Sequence, residues 1–173
     1  MSVFLAIDLD AHTRERVAGL IETHRAKVEA KWLRSDKLHS TLVFLGHPAA
    51  EQVAALVPAI DALASRHRPF ELRLLGSGTF VTARAASVLW LGIAGDVAQL
   101  ASLQADAAQS LGGETRDFVP HLTLGRTQVA GGFDSVRAAL SDFASPVFRV
   151  AHLSLYESSS AVYRVLHQAP LSG

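Results

Sequence analysis

Leu38-His39-Ser40-Thr41-Leu42-Val43-Phe44-Leu45-Gly46 decides the reading of this chain, and Phe118-Val119-Pro120-His121-Leu122-Thr123-Leu124-Gly125-Arg126 repeats its pattern. Each contains His-x-Thr-Leu inside a run of strand-forming residues. Side chains alternate between the two faces of a strand, so His39 and Thr41 share one face, roughly 6.5–7 Å apart. His121 and Thr123 do the same, while Ser40, Leu42, Leu122 and Leu124 take the opposite face. One face of each strand can pack, and the other offers an imidazole beside a hydroxyl. Imidazole gives or takes a proton near neutrality. A threonine hydroxyl can donate a hydrogen bond to an anionic oxygen. The expectation is that each half of the chain supplies one such strand and that the two pairs face each other across a cleft. That is a metal-free site for acid–base chemistry on a phosphate.

Working outward, Val3 to Leu9 is a short buried strand, and Asp10 is placed to cap the helix that follows. Val17, Leu20, Ile21, His24 and Val28 keep helical spacing. After the first motif, His47-Pro48 signals a helix start, and Val53, Leu56, Val57, Ile60 and Leu63 continue it. Pro58 should kink or divide that helix. Phe70 to Leu75 alternates as a half-exposed strand, with Gly76-Ser77-Gly78 breaking it, and Ser87 to Ile93 is a more buried strand. A helix from Gly95-Asp96 ends at Gly112-Gly113. The second motif strand runs from about Pro120 to Arg126. A Gly131-Gly132 turn then leads to a short helix with Val136, Leu140 and Phe143 inward. Two strands close the chain, near Phe148 to Glu157 and Val162 to Gln168. A motif strand, a helix and two strands thus occur twice, which predicts an α+β protein of two similar lobes.

The 173 residues suit one domain or one two-lobed unit. With 49% hydrophobic residues a sizeable core is available. Sixteen Lys and Arg balance sixteen Asp and Glu, which argues against coating long nucleic acids by bulk charge. A small phosphate-bearing end needs only a local positive site, and Arg, the better planar partner for phosphate, far outnumbers Lys. The absence of cysteine excludes thiolate catalysis, disulfides and Cys-based zinc sites. The N-terminus has no basic region ahead of its short apolar run, so no signal peptide is expected, and no stretch suits a membrane span. A cytoplasmic protein is expected.

A single His-x-Thr is weak evidence, but two in equivalent places are strong. The other six histidines, 12, 24, 47, 67, 152 and 167, are read as surface, helix or rim residues. The motif histidines lack the helical spacing or glutamate of a zinc motif. Gly76-Ser77-Gly78 lacks the lysine and helix of a phosphate loop. Trp90 reads as core, and so do Phe118 and Tyr156, although both could stack at a cleft rim. Arg126 is a phosphate-binding candidate. Strict alternation points it away from Thr123, and only a lapse of the strand after Gly125 would turn it into the cleft.

These residues are similar to those of the 2H phosphoesterases, named for two His-x-Thr-x motifs, and within them the chain resembles the bacterial RNA 2′,3′-cyclic phosphodiesterases, also called 2′-5′ RNA ligases. The likeness extends through Phe4-Leu5-Ala6-Ile7-Asp8, Trp32, Phe70-Glu71-Leu72, Val88 to Gly92, Leu155-Tyr156-Glu157-Ser158 and Tyr163-Arg164-Val165-Leu166. It implies one bilobal α+β domain over residues 1–173, with two antiparallel sheets lining a central cleft and helices outside. It further implies that His39 is the proton donor and His121 the proton acceptor in hydrolysis of a terminal 2′,3′-cyclic phosphate to a 2′-phosphate. Thr41 and Thr123 would hold the non-bridging oxygens. No metal or other cofactor is implied, and a monomer acting on RNA ends or nucleotides is expected. The residues alone leave acid and base interchangeable. A non-catalytic RNA-binding module, or a phosphodiesterase of small cyclic nucleotides, stands as the alternative.

Overall fold

The computed structural model describes residues 1–113, 117–160 and 162–173. Nine strands and four α-helices run in the order β1 (Ser2–Asp8), α1 (Ala11–His24), β2 (Lys31–Trp32), β3 (His39–Phe44), α2 (Ala50–Ser65), β4 (Phe70–Val81), β5 (Ser87–Gly95), α3 (Val97–Leu111), β6 (His121–Thr127), α4 (Asp134–Ala139), β7 (Phe148–Val150), β8 (His152–Ser158) and β9 (Tyr163–Pro170) among the described residues. They form two antiparallel sheets, one ordered β3-β1-β8-β9 and the other β2-β6-β5-β4-β7. The α+β class with two antiparallel sheets is as expected. Helices α2 and α3 lie on the four-stranded sheet and α4 on the five-stranded one. No helix among the described residues is long and apolar enough to cross a membrane.

The lobes are not the two halves of the chain. The first motif strand, β3, belongs to the four-stranded sheet, but the β4–β5 hairpin that follows α2 belongs to the other. The second motif strand, β6, lies in the five-stranded sheet, and the β8–β9 hairpin crosses back. The repeat of strand, helix and two strands is therefore present, with each copy spanning both sheets. The expected single strand from Phe148 to Glu157 is divided at Ala151, because β7 pairs with β4 whereas β8 pairs with β1.

Alternation sets the core. Leu5 and Ile7 of β1, Leu153 and Leu155 of β8, Leu72 and Leu74 of β4, and Leu122 and Leu124 of β6 are all buried. Burying each such side chain contributes about 1.5–3 kcal/mol. Asp10 caps α1 as expected, its carboxylate accepting from Thr13 N at 2.8 Å.

Three local expectations are corrected. Helix α2 starts after Pro48, at Ala50, where Gln52 Oε1 accepts from Ala49 N at 2.8 Å. Pro58 does not divide it: α2 runs on as one element to Ser65, with Ile60, Leu63 and Ala64 buried on its inner face and the proline on the exposed side. Strand β4 is not broken at Gly76-Ser77-Gly78. It bulges between Leu74 and Ser77, with Gly76 at φ +68, and then keeps pairing with β5 to Val81.

Candidate active site

Each motif strand carries one extra residue. In β3 the register with β1 passes from Leu5↔Val43 to Ala6↔Thr41, leaving Leu42 unpaired. In β6 the register with β5 passes from Leu89↔Gly125 to Trp90↔Thr123, leaving Leu124 unpaired. An inserted residue of this kind is a β-bulge, and it reverses the alternation beyond it. Leu42 and Val43 are therefore consecutive buried residues, as are Leu124 and Gly125, and the next residues, Phe44 and Arg126, emerge on the His-Thr face. The expectation for Arg126 was wrong in its mechanism. The strand does not lapse at Gly125 but continues to Thr127, and the bulge turns the guanidinium into the cleft.

His39, Thr41, His121, Thr123 and Arg126 all line one cavity of 340 Å³, with Phe4, Phe44 and Tyr163 in its wall. A larger hollow of 690 Å³ shares Thr41, Phe44, His121, Thr123 and Arg126 and extends past Phe80, Phe118 and Val119. The five residues proposed from sequence thus meet in one cleft where the sheets adjoin.

The two imidazoles are oriented alike. His39 Nδ1 lies 2.7 Å from the Lys37 carbonyl, and His121 Nδ1 lies 2.7 Å from the Val119 carbonyl. A carbonyl can only accept, so Nδ1 carries the proton and Nε2 is left for chemistry. Thr41 Oγ1 sits 3.1 Å from His39 Nε2. Among the described residues His121 Nε2 has no such partner.

Each ring rests on an aromatic floor of its own sheet. His39 stacks on Phe4 with centroids 4.7 Å apart and meets Tyr163 edge-on at 5.4 Å. His121 stands perpendicular to Phe80 at 5.0 Å and near Trp90 at 6.1 Å. Trp90 is thus half-buried on the cleft face, beneath a motif histidine, and not in the core. Phe118 and Tyr156 are half-buried too.

Asp8 was missed as a site residue. It lies opposite His39 in the β1–β3 register. Its carboxylate accepts from Tyr156 Oη at 2.5 Å, Ser154 Oγ at 2.5 Å and His152 Nε2 at 3.2 Å. Burial pushes the Asp8 carboxyl up, but these donors and the His152 charge hold it below the ordinary carboxylate value. His152 is raised by the same hydrogen bond, against the effect of its burial. Burial lowers the His39 imidazole below its ordinary 6.5, while the Lys37 carbonyl and the Asp8 charge oppose that and Arg14 and His121 add to it. Asp8 ends an apolar strand and closes the Phe4-Leu5-Ala6-Ile7-Asp8 stretch of the family likeness, and neither signal assigns it a role at the site. No group of three or more His, Cys, Asp or Glu that could hold a metal ion occurs among the described residues.

A model of the 2′-5′ RNA ligase superfamily matches residues 12–161. The RNA 2′,3′-cyclic phosphodiesterase of Methanothermobacter thermautotrophicus is 28% identical over 167 residues, covering 90% of this chain and 88% of the relative. The protein of that name from Escherichia coli K12 is 36% identical over 129 residues, covering 70% and 69%. Among solved structures, Escherichia coli LigT complexed with 3′-AMP gives a TM-score of 0.76 at 28% identity, covering 99% of this chain and 98% of that one. The protein TT0787 of Thermus thermophilus, at 23% identity and a TM-score of 0.77, covers 100% and 99% and shares the fold. The family match spans both His-x-Thr strands, and the chain belongs to the 2′-5′ RNA ligase superfamily, a group of 2H phosphoesterases.

Proposed function

We propose that this protein is an RNA 2′,3′-cyclic phosphodiesterase, a single domain over residues 1–173 that works as a monomer in the cytoplasm on RNA ends. One observation carries the reading: two histidines from different sheets line one cavity, each with Nδ1 held by the carbonyl two residues back. A binding module has no need of two oriented proton-transfer groups. Because both histidines come from one chain, no second copy is required.

On this reading His121 Nε2 takes a proton from water as the water oxygen bonds to phosphorus. The bond from phosphorus to O3′ breaks, and His39 Nε2 delivers its proton to O3′. The product end carries a 2′-phosphate and a free 3′-hydroxyl. Thr41, Thr123 and Arg126 donate to the non-bridging oxygens, where positive charge and fixed donors stabilise the transition state. His39 must therefore be protonated in the complex although burial disfavours its charge in the empty cleft. The phosphate anion supplies the compensation, since an opposite charge within reach raises an imidazole pKa. With an RNA 5′-hydroxyl in place of water, His121 Nε2 takes that hydroxyl's proton as its oxygen bonds to phosphorus, the bond to O3′ breaks and His39 protonates O3′, so 2′-5′ ligation is chemically allowed.

The test offers cyclic-phosphate oligoribonucleotides and mononucleotides with and without EDTA and identifies the product isomer. A 2′-phosphate formed at an EDTA-independent rate is the expected result. A 3′-phosphate product, or activity restored only by a metal, would refute the mechanism.

A further inference from the structure

Beside the cleft lies a hollow of 480 Å³ lined by Lys31, Arg84 and Arg126 together with Thr82 and Gln128, of which the chemistry above uses Arg126 alone. Its cations converge from three elements. Lys31 of β2 is the direct cross-strand partner of Arg126 of β6, and both are exposed. Like charges opposite one another on a sheet destabilise it, so this pairing is a cost to the fold. Arg84 is exposed on the β4–β5 hairpin loop, which is closed by Thr82 Oγ1 accepting from Ala86 N at 3.1 Å. No carboxylate of the described residues lies within ion-pair distance of any of the three. In a chain of zero net charge, this gathers positive charge at one mouth of the cleft. The hollow is also continuous with the site, because Arg126 lines both, and Thr82 and Ala83 line the larger arm of the cleft as well.

We propose that Lys31 and Arg84 form a second, non-catalytic phosphate site that takes the backbone phosphates of nucleotides upstream of the cyclic end. This rests on the phosphodiesterase reading and sharpens it: the substrate is an RNA strand, not a mononucleotide. Arg126 is the joint between the two sites. The three cations grip a short stretch of backbone without base contacts, so binding there is independent of sequence and dependent on salt.

The experiment compares kcat/KM for three substrates: a 2′,3′-cyclic mononucleotide without a 5′-phosphate, the same with a 5′-phosphate, and a short oligoribonucleotide with a cyclic end. Wild type, Lys31→Ala/Arg84→Ala and Lys31→Arg/Arg84→Lys are measured. The oligonucleotide should be preferred by about tenfold or more at low salt, and the alanine pair should lose most of that preference, with mononucleotide turnover unchanged. Its log–log salt slope should fall by about 1.4, at about 0.7 per single-strand contact removed. The charge-retaining pair should keep the preference. An equal fall on all three substrates would mark a structural role and overturn the proposal, as would an oligonucleotide preference that survives the alanine pair. A gain already complete with the 5′-phosphorylated mononucleotide would overturn the RNA track in favour of a single-phosphate pocket. No turnover of any substrate by wild type would remove the phosphodiesterase reading and this one with it.

Discussion

Phe44 and Arg126 occupy the same place in the two motif strands, five residues after the motif histidine, and each is turned into the cleft by the bulged leucine two positions before it. One bulge delivers an aromatic ring and the other a guanidinium to opposite sides of the same cavity. On the phosphodiesterase reading proposed above, the pair divides substrate binding between apolar and charged contact. Arg126→Ala should lower kcat/KM by about 10²-fold, the scale for losing one donor to developing negative charge. Phe44→Ala should raise KM by about tenfold with kcat kept, the scale of one aromatic contact to a base. Steady-state kinetics on the cyclic-phosphate oligonucleotide separates the two, and a kcat loss confined to Phe44→Ala would contradict the division.

His39→Ala and His121→Ala should each slow turnover by about 10²–10⁴-fold, the usual worth of one proton-transfer group. His39 stacks on Phe4, so the alanine variant also loses packing. His39→Gln keeps much of that contact and should be just as inactive, with a melting temperature closer to wild type. Hydrolysis by His39→Gln at near-native rates would end the case for proton transfer at that position.

Asp8→Asn should act through pH. The Asp8 charge raises the His39 pKa, so its removal lowers that pKa further. If His39 is the acid, the alkaline limb of kcat/KM moves to lower pH. If His39 were the base, the acidic limb would move instead. The free-enzyme limb belonging to His39 should lie below 6.5 in wild type, because burial lowers it, and should sit higher in kcat, where bound phosphate opposes burial. Stability gives an independent check. The depressed Asp8 pKa contributes stability above 3.8 that fades as pH falls below it. The raised His152 pKa contributes stability below 6.5 that is lost as pH climbs through its folded value. The melting-temperature gap between wild type and Asp8→Asn should therefore be widest between those limits.

A Cβ built on Gly78 would lie 2.2 Å from the Trp90 ring. Gly78→Ala must displace that indole, which sits under His121, at a cost of about 1–3 kcal/mol for overpacking. Denaturant melts should show the loss of stability, and kcat should fall although no polar group of the site has been removed. Unchanged kcat would mean that Trp90 does not seat His121.

Pro58 is exposed within a continuous helix. Pro58→Ala restores a backbone donor and should stabilise the protein by about 1–3 kcal/mol, less the entropy the unfolded chain regains. Thermal melts check this, and activity should not change.

The sequence by itself determined the two motif pairs and most of the local structure. Two His-x-Thr alternations set imidazole and hydroxyl on one face of each strand, because a period of two is a property of any extended backbone. Strand and helix placements followed from periodicity and capping, as with Asp10. Only the tertiary structure decided where Phe44 and Arg126 point, that Ala151 divides one expected strand between two sheets, and that each copy of the repeat spans both lobes. A bulge is defined by the partner strand's register, so Leu42 and Leu124 look like ordinary alternating residues until β1 and β5 lie beside them. Asp8 was hidden for the same reason. Its role depends on His152, Ser154 and Tyr156, which approach it only when the end of the chain returns to pair with its beginning.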